Sequence, residues 1–386
     1  MLLRNLPLAW FQLSHQRARF AIATLGITFA LLLIFIQLGL QAALYESNTG
    51  LQRHLRGDLV MLHDQTSALV TTTRFSRRRL YQALNIDGVE AVTPIYYRYH
   101  TLKNIDEARS RDLAIFGINP QASPFDFPDL DQNLTQLNLT DAVLFDRGSS
   151  PEYGNFVDPL DANQPVRAEV AGQRVQFVGA IDFIGTSFAF DGNVVTSDYT
   201  FFRIFPELNP ENISIGVITL ASGAQRDPII ARLRQQLPAD LKVVTVEDYI
   251  TLEENYWRET TPIGFIFSMG VGVGFIVGVI IVYQILYAEI SDHIPDYAIL
   301  KARGYRGRYF IKLIMQAAVL LSIAGYIPGF LLSSLMYKAI GQATQLPLYM
   351  TWERALWVFG LSTLMCIVSG VVAMRKLADV DPAELL

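Results

Sequence analysis

The side chains that most often carry enzyme chemistry are scarce in this sequence and form no catalytic pattern. There are five histidines and one cysteine, Cys366. No G-x-x-x-x-G-K-[ST] phosphate-binding loop, H-E-x-x-H zinc motif, C-x-x-C pair or G-x-S-x-G nucleophile motif occurs, and each of these chemistries needs its residues at that spacing. We therefore predict that the chain is not an enzyme. Any ATP hydrolysis, with its ATP and Mg²⁺, would belong to a partner subunit.

Two clusters remain as candidate ligand sites. His54, Asp58, His63 and Asp64 have metal-binding side chains, but their spacing matches no strong zinc pattern. We interpret them as surface residues and predict no metal or cofactor on this chain. The three arginines at 77–79 would suit either an anionic headgroup or the solvated face of a helix, and we favour the helix face.

Composition indicates a membrane protein. Hydrophobic residues make up 51% of the chain and the mean hydropathy is +0.27, which is too apolar for an ordinary soluble domain. Stretches long and charge-poor enough to cross a bilayer predict transmembrane helices at 20–44, 263–287, 310–340 and 355–374. The first stretch is too long for a cleaved signal peptide and is predicted to be a signal anchor. No charge lies near mid-membrane, which argues against an ion or proton pathway.

Orientation follows from the basic residues beside these stretches, because such residues accumulate on the cytoplasmic side. They cluster before the first stretch, between the second and third, and after the fourth. We therefore predict an inner-membrane, multi-pass protein with both termini cytoplasmic. The predicted cytoplasmic parts are an amphipathic helix at 1–19, the loop 288–309 and the tail 375–386. The predicted periplasmic parts are a large domain at 45–262 and a short loop at 341–354.

The predicted periplasmic domain is mildly acidic. It has 29 acidic and 19 basic residues, a net charge of −10, against +5 for the rest of the chain. This charge argues against nucleic acid as a partner. A loop or subdomain boundary is predicted at 123–138, which is rich in Pro, Asp and Asn. Hydrophobic patterning predicts a mixed α+β fold, with strands at 58–62, 89–102, 112–118, 142–146, 213–220 and 241–246, a hairpin at 164–183, and helices at 76–85, 225–236 and 243–259. The fold class predicted for the whole chain is therefore an α-helical integral membrane protein with four transmembrane helices and a large mixed α+β periplasmic domain between helices 1 and 2.

The segment 289–305 has the pattern of a short amphipathic helix on the membrane surface, with apolar and charged residues at roughly helical spacing. Arg303 and Gly304 suit its C-terminal end. Either lipid headgroups or a groove on a partner protein would cover its apolar face. The residues assigned to this candidate coupling surface are Glu289, Ile290, Asp292, Ile294, Asp296, Tyr297, Ile299, Leu300, Lys301 and Gly304.

Glycines mark two places in the predicted membrane helices. Gly270, Gly274 and Gly278 recur at intervals of four and form a bare stripe that another helix can approach closely. The stripe suits either packing within the chain or a contact between the subunits of a homodimer, and in the second case Gly274→Leu would weaken dimerisation. In the third span, Gly325, Pro328 and Gly329 predict a kink.

The order of one span, a large outer domain and three further spans resembles the permease family that includes MacB, FtsX and the lipoprotein-releasing permeases. The stretch DYAILKARGY at 296–305 looks like the family's R-E-I-G-I-L-K-A-L-G-A, and the ending RKLADVDPAELL at 375–386 resembles its closing D-P-A-E-A-L. Asp296 and Tyr297 stand where the family often has Arg-Glu, and Arg303 where it often has Leu. In length and in its lack of an ATP-binding motif, the chain is most similar to the cyanobacterial DevC type.

The resemblance implies a homodimeric exporter permease of the mechanotransmission type. ATP-driven dimerisation of two cytoplasmic ABC ATPase subunits would pull on residues 289–304, and the spanning helices would transmit this movement to the periplasmic domains. Those domains would meet a periplasmic adaptor (a membrane fusion protein) and, through it, a TolC-like outer-membrane channel. The predicted cargo is lipid-like or hydrophobic, collected in the periplasm or the outer leaflet, and membrane lipid is a further predicted partner. Glycolipid, peptide and small toxic compound all fit the sequence.

Two other functions within the same family stay open. One is an FtsX-like transducer, whose outer domain activates a cell-wall hydrolase and transports nothing. The other is a lipoprotein-releasing permease, which would need a dedicated carrier protein. The partners of the chain distinguish the three, since only an exporter would bind both an adaptor and a channel.

Overall fold

The computed structural model describes residues 17–292, 294, 299, 303, 305 and 307–378. They divide into two compact units. The sheet unit consists of Ala43–Pro262 and Gln342–Pro347, and the helical unit contains the described residues of the remaining chain. Residues 1–16 of the predicted N-terminal helix and residues 379–386 of the predicted tail lie outside the described residues.

The helices and strands are numbered in chain order. The helices are α1 Arg17–Asn48, α2 Gly50–Arg53, α3 Arg77–Gln82, α4 Pro128–Asn133, α5 Val157–Asp161, α6 Asp198–Ile204, α7 Arg226–Gln236, α8 Val246–Asn255, α9 Pro262–Asp292, α10 Gly307–Thr344 and α11 Trp352–Ala378. The strands are β1 Leu59–His63, β2 Phe75–Ser76, β3 Val89–Asn104, β4 Arg109–Ile118, β5 Ala142–Asp146, β6 Val166–Val170, β7 Gln173–Ile181, β8 Asn193–Ser197, β9 Asn212–Ile213, β10 Ile215–Leu220 and β11 Leu241–Thr245.

The helical unit is built from α1, α9, α10 and α11. Each contains an apolar stretch long enough to cross a membrane, judged by length and composition. The sheet unit is connected in sequence between α1 and α9. The predicted fold class, four membrane helices with a large mixed α+β domain between the first and second, is therefore confirmed.

Helix α1 packs on both α9 and α10 through glycines of those helices. Ile27 and Leu31, four residues apart on α1, are fully buried. A Cβ atom at Gly325 of α10 would collide with the Ile27 side chain, and one at Gly329 would lie 3.3 Å from Leu31. The glycines predicted to kink the third span thus let α1 approach closely. Helix α10 continues without a break through Pro328, and the kink stays a prediction.

The sheet unit is organised around a nine-stranded mixed sheet in the order β11-β1-β10-β3-β4-β8-β5-β7-β6. Strands β4 and β8 are parallel, as are β5 and β7. Strand β6, at one end of this order, also pairs with β3, with Leu102 opposite Val170. Successive side chains of a strand point to opposite faces. In β1, Leu59 and Met61 accordingly enter one hydrophobic core, whereas Val60 and Leu62 enter a second.

Most predicted strands and helices of this unit are confirmed, including a strand over Ala142–Asp146. Two predictions need correction, and one strand was missed. Residues 123–138 are predicted to be a loop or a subdomain boundary, but they contain α4, with Pro128 in its first turn, and a 3₁₀ helix over Leu134–Asn138. The helix predicted at 243–259 begins at Val246, because residues up to Thr245 pair with β1 as a strand. Strand β8 was not predicted, since only two of its five residues are hydrophobic.

Candidate functional site

The structure places the predicted coupling residues in two groups. Glu289, Ile290 and Asp292 belong to the last turns of α9, which corrects the prediction of a separate surface helix beginning at 289. No Gly or Pro occurs between Tyr287 and Asp292 to end α9 earlier. Asp292 forms an ion pair with Arg19 of α1.

The second group is only partly described. Ile294 and Ile299 are helical, and Ile299 is 49% exposed. The backbone N–H of Arg303 donates to the Ile299 carbonyl at 3.0 Å, which is a helical hydrogen bond. The remaining predicted coupling residues lie outside the described residues, so their role stays a prediction. These are Asp296, Tyr297, Leu300, Lys301 and Gly304.

The glycine stripe of α9 lies against α1 and α11 of the same chain. A Cβ atom at Gly270 would lie 2.5 Å from the Gln37 side chain, and one at Gly274 would lie 2.9 Å from Ile34. One at Gly278 would collide with the Met365 sulfur of α11. Packing within the chain therefore accounts for all three glycines, and the homodimer stays a prediction.

Gly274→Leu is expected to destabilise the packing of α1 on α9 by about 1–3 kcal/mol, because the larger side chain overpacks this contact. The matched control is Gly272→Leu, since a Cβ atom at Gly272 meets nothing within 4 Å. Thermal unfolding of the purified chain, with crosslinked dimer yield measured in parallel, checks the expectation. A fall in dimer yield without any loss of subunit stability would instead assign the stripe to a subunit contact.

A buried carboxylate joins three segments of the sheet unit. One of these segments directly follows α1, and another shortly precedes α9. Glu253 on α8 is 1% exposed. Its Oε2 accepts hydrogen bonds from Gln52 Nε2 at 2.9 Å and from the Leu69 backbone N–H at 2.8 Å. Its Oε1 accepts one from Trp257 Nε1 at 2.9 Å. We call these four residues the carboxylate junction.

Local sequence explains why these residues meet. Tyr249, Glu253 and Trp257 are four residues apart, so they share one helix face, and all three are buried. After Asn255 the chain makes a π-helical turn over Tyr256–Thr260, a rare conformation that occurs frequently at functional sites. Gln52 lies on α2, directly after α1, and Trp257 shortly precedes α9. The carboxylate junction therefore connects the chain leaving α1 with the chain entering α9.

A second buried carboxylate, Asp146 at the end of β5, anchors the loop 182–192. It is 1% exposed and accepts five hydrogen bonds. Burial raises the pKa of Asp146, while these hydrogen bonds oppose the rise by favouring the charged form. The donors are Gly148 N at 3.0 Å, Phe183 N at 3.3 Å, Ile184 N at 3.1 Å, Gly185 N at 2.7 Å and Asn193 Nδ2 at 2.8 Å.

The anchored loop contacts the last residues of two membrane helices. The Ala189 backbone N–H donates to Asn48 Oδ1 at 3.1 Å, and Asn48 ends α1. Thr186 Oγ1 donates to the Thr344 carbonyl at 3.2 Å, and Thr344 ends α10. Asn48 and Thr344 both belong to the sheet unit. We call the anchored loop with these two contacts the loop junction.

Both junctions are suited to holding backbone in place rather than to binding a cation. Hydrogen-bond donors point at both carboxylate oxygens of Glu253 and of Asp146, whereas a cation would need those oxygens free. Burial raises the pKa of Glu253 to about 7, and its three donors limit the rise. In the part of the chain that the structure describes, no group of three or more His, Cys, Asp or Glu side chains could hold a metal ion.

The two clusters singled out in the sequence serve local structure. His54 stacks on Phe127 with ring centroids 4.4 Å apart, and Asp58 Oδ2 accepts from the Leu220 N–H at 2.9 Å. Arg77, at the start of α3, pairs with Glu211 at 2.8 Å. Arg79 donates to Gln82 Oε1 at 3.2 Å on the same helix.

Sequence reasoning missed the junction residues Gln52, Asp146 and Glu253. For Glu253 a signal existed, because its four-residue spacing from Tyr249 and Trp257 places it on an aromatic helix face. The adjacent Glu254 is on another face and pairs with Arg53 at 3.3 Å. For Asp146 and Gln52 no pattern in the sequence distinguishes them from exposed polar residues.

Comparison with known proteins adds a match to the family described as FtsX-like permease, C-terminal, over residues 268–382. Pyoverdine export ATP-binding/permease protein PvdT of Pseudomonas syringae pv. tomato is 22% identical over 184 residues, which are 48% of this chain and 28% of that protein. Macrolide export ATP-binding/permease protein MacB of Wolinella succinogenes is 21% identical over 175 residues, 45% of this chain and 27% of that protein. The matched part of this chain thus spans under a third of each relative.

Solved structures give weaker likenesses. The periplasmic region of MacB from Actinobacillus actinomycetemcomitans aligns with a TM-score of 0.37 and 10% identity, over 52% of this chain and 94% of that chain. The extracellular domain of the noncanonic ABC-type transporter YknZ from Gram-positive bacteria aligns with a TM-score of 0.34 and 14% identity, over 49% of this chain and all of that chain.

Proposed function

Since the chain belongs to the MacB/FtsX-type family of ABC transporter permeases, we propose that it is the membrane subunit of an ATP-driven exporter. The observation that carries this proposal is the FtsX-like permease match over 268–382, which covers most of α9, all of α10 and all of α11. Both relatives are named as export proteins, which supports an exporter rather than a transducer or a lipoprotein-releasing permease. The family match and the four long apolar helices support a multi-pass inner-membrane protein.

The ATPase is proposed to be a separate cytoplasmic subunit that contacts residues 289–304. Ile299 is 49% exposed and lies on a helical turn that the Arg303 N–H extends, so a partner could reach it. The Arg19–Asp292 ion pair would fix the start of α1 to the end of α9 next to the coupling surface.

Movement at the coupling surface is proposed to reach the sheet unit through α1 and α9. Close packing supports the idea that these helices move together, because Gly270 and Gly274 leave no space between α9 and α1. Within the sheet unit, the carboxylate junction fixes the chain that leaves α1 to the chain that enters α9. The loop junction fixes the last residues of α1 and α10. These contacts would convert helix displacement into movement of the sheet.

The remaining partners are proposed from the family. They are a second copy of this chain, a periplasmic adaptor, a TolC-like outer-membrane channel and membrane lipid. The proposed cargo is lipid-like or hydrophobic.

Affinity purification of the tagged chain from its native membranes in mild detergent tests the proposed function. The expected result is an ABC ATPase and a periplasmic adaptor in the eluate, with ATP hydrolysis. An ATPase accompanied by a cell-wall hydrolase would assign the chain as a transducer, and a soluble lipoprotein carrier would assign it to lipoprotein release. Recovery without any ATPase would contradict the proposal.

A further inference from the structure

Strand β3 lies inside the nine-stranded sheet, but one of its edges has no neighbouring strand for a few residues around Tyr99. We propose that this opening binds a short extended segment of a partner protein, which adds to β3 as an antiparallel strand. The segment carries an apolar side chain flanked by two acidic side chains. This inference goes beyond the proposed export function, because it depends on neither the ATPase nor the cargo.

The opening lies between two strands that pair with the same edge of β3. Strand β10 pairs with the first seven residues of β3, and β6 pairs with its last three. Next to β10, the Tyr97 N–H donates to Ser214 Oγ at 3.0 Å. Next to β6, the Ala171 N–H donates to the Thr101 carbonyl at 2.9 Å. The opening therefore runs along β3 from Tyr97 to Thr101, a length of roughly 13 Å.

The backbone N–H and C=O of Tyr99 face this opening. On the other edge of β3, Tyr99 lies opposite Ala114 of β4, whose N–H donates instead to the Gly192 carbonyl at 3.0 Å. The Tyr99–Ala114 pair is thus not hydrogen-bonded, and Tyr99 faces the same edge as Tyr97 and Thr101. No hydrogen bond among the described residues uses the Tyr99 N–H or its carbonyl. An added strand would pair with these two groups.

The side chains beside the opening make one of its faces aromatic. Tyr99 is 42% exposed, and its ring centroid lies 5.3 Å from that of Phe190. Arg98 and His100 point to the opposite face, because side chains alternate along a strand. Directly opposite residues of paired strands share a face. The residue paired with Tyr99 would therefore pack on the aromatic face, and its two neighbours would lie on the face of Arg98 and His100.

The face of Arg98 is suited to acidic side chains. The half-buried Arg74 donates a long hydrogen bond to the Tyr97 carbonyl at 3.5 Å, at one end of the opening. Burial and then the charge of Arg98 lower the pKa of Arg74, and the charge of Glu207 opposes this fall. Neither arginine forms an ion pair within the described part of the chain. A carboxylate of the added strand would neutralise this pair of cations.

A dye-labelled pentapeptide with the sequence Thr-Glu-Val-Glu-Thr tests the proposal on the purified full chain. Saturable binding is expected in fluorescence anisotropy. The same peptide with N-methylvaline should bind at least about tenfold more weakly, because it cannot donate to the Tyr99 carbonyl. A peptide with Gln in place of both Glu should also bind at least about tenfold more weakly. Absence of binding, or equal binding of the three peptides, would overturn the proposal.

Tyr99→Pro is the sharpest variant, because it removes the free N–H without removing a hydrogen bond of the folded chain. The matched control Tyr99→Thr loses the same ring but keeps the N–H. It should bind the pentapeptide at least about tenfold more tightly than Tyr99→Pro. Equal affinity of the two variants, with unchanged circular dichroism, would contradict strand addition.

A second pair of variants keeps the test decisive if Tyr99→Pro does not fold. Arg98→Gln should weaken binding of the pentapeptide about tenfold. The control Arg78→Gln, at an exposed arginine of α3, should leave it unchanged. Equal affinity of these two variants would contradict recognition of the acidic side chains. The titrations contain no ATPase, adaptor or cargo, so their failure is distinguishable from failure of the proposed export function.

Discussion

Asp146→Ala is expected to lower the free energy of unfolding of the sheet unit by about 3–5 kcal/mol. The substitution leaves five buried or half-buried donors without their acceptor, four of them backbone N–H groups. The loop 182–192 would lose its anchor, and the contacts of Thr186 and Ala189 with the helix ends would weaken with it. Chemical denaturation of the purified full chain, followed by circular dichroism, measures the change.

The control for this prediction is Asp182→Ala, at the start of the same loop. The Asp182 side chain is 81% exposed and lies 3.9 Å from its nearest cationic partner, Arg147. An exposed pair of this kind contributes little, so the expected change is within about 0.5 kcal/mol. Equal destabilisation by the two variants would show that Asp146 does not anchor the loop.

Leu300→Glu is expected to weaken ATPase binding at least about tenfold, which corresponds to about 1.4 kcal/mol. The sequence places Leu300 among the apolar residues of the coupling surface. A carboxylate there would be buried without a partner when the ATPase docks. Membrane insertion should be unaffected, because the residue lies outside the apolar stretches of α9 and α10. Co-purification of the ATPase with the tagged variant measures the loss.

The matched control is Leu139→Glu, the same change at a side chain of the sheet unit that is 60% exposed. It should co-purify with the ATPase as the unsubstituted chain does. Normal recovery of the ATPase with Leu300→Glu would remove Leu300 from the coupling surface. Loss with both variants would point to misfolding rather than to a lost contact.

Much of the fold follows from hydrophobic pattern. The four membrane helices are visible as long apolar stretches, and strand β5 matches its predicted bounds because every residue from Ala142 to Phe145 is apolar. Strand β8 was not predicted, because its first residue and its last two residues are polar. All five residues of the strand are nevertheless buried. Its burial comes from its central place between β4 and β5, which only the assembled sheet determines.

The candidate site was less predictable, because burial of a polar side chain is a tertiary property. Glu253 and Glu254 are adjacent and chemically identical, yet one accepts hydrogen bonds from Gln52, Leu69 and Trp257 and the other forms exposed ion pairs. The partners Gln52 and Glu253 are 201 positions apart. The glycine stripe was easier to identify, but the sequence left open which helix it contacts.

A distance measurement in the assembled complex tests whether movement passes from the ATPase to the sheet unit. The native Cys366 is buried, so a spin label on Leu139→Cys reports the separation of the two sheet units in the proposed homodimer by pulsed electron paramagnetic resonance. We predict that trapping the ATPase with nucleotide shifts this distance distribution, and that Leu300→Glu removes the shift. An identical distribution with and without nucleotide, in a complex that hydrolyses ATP, would contradict transmission.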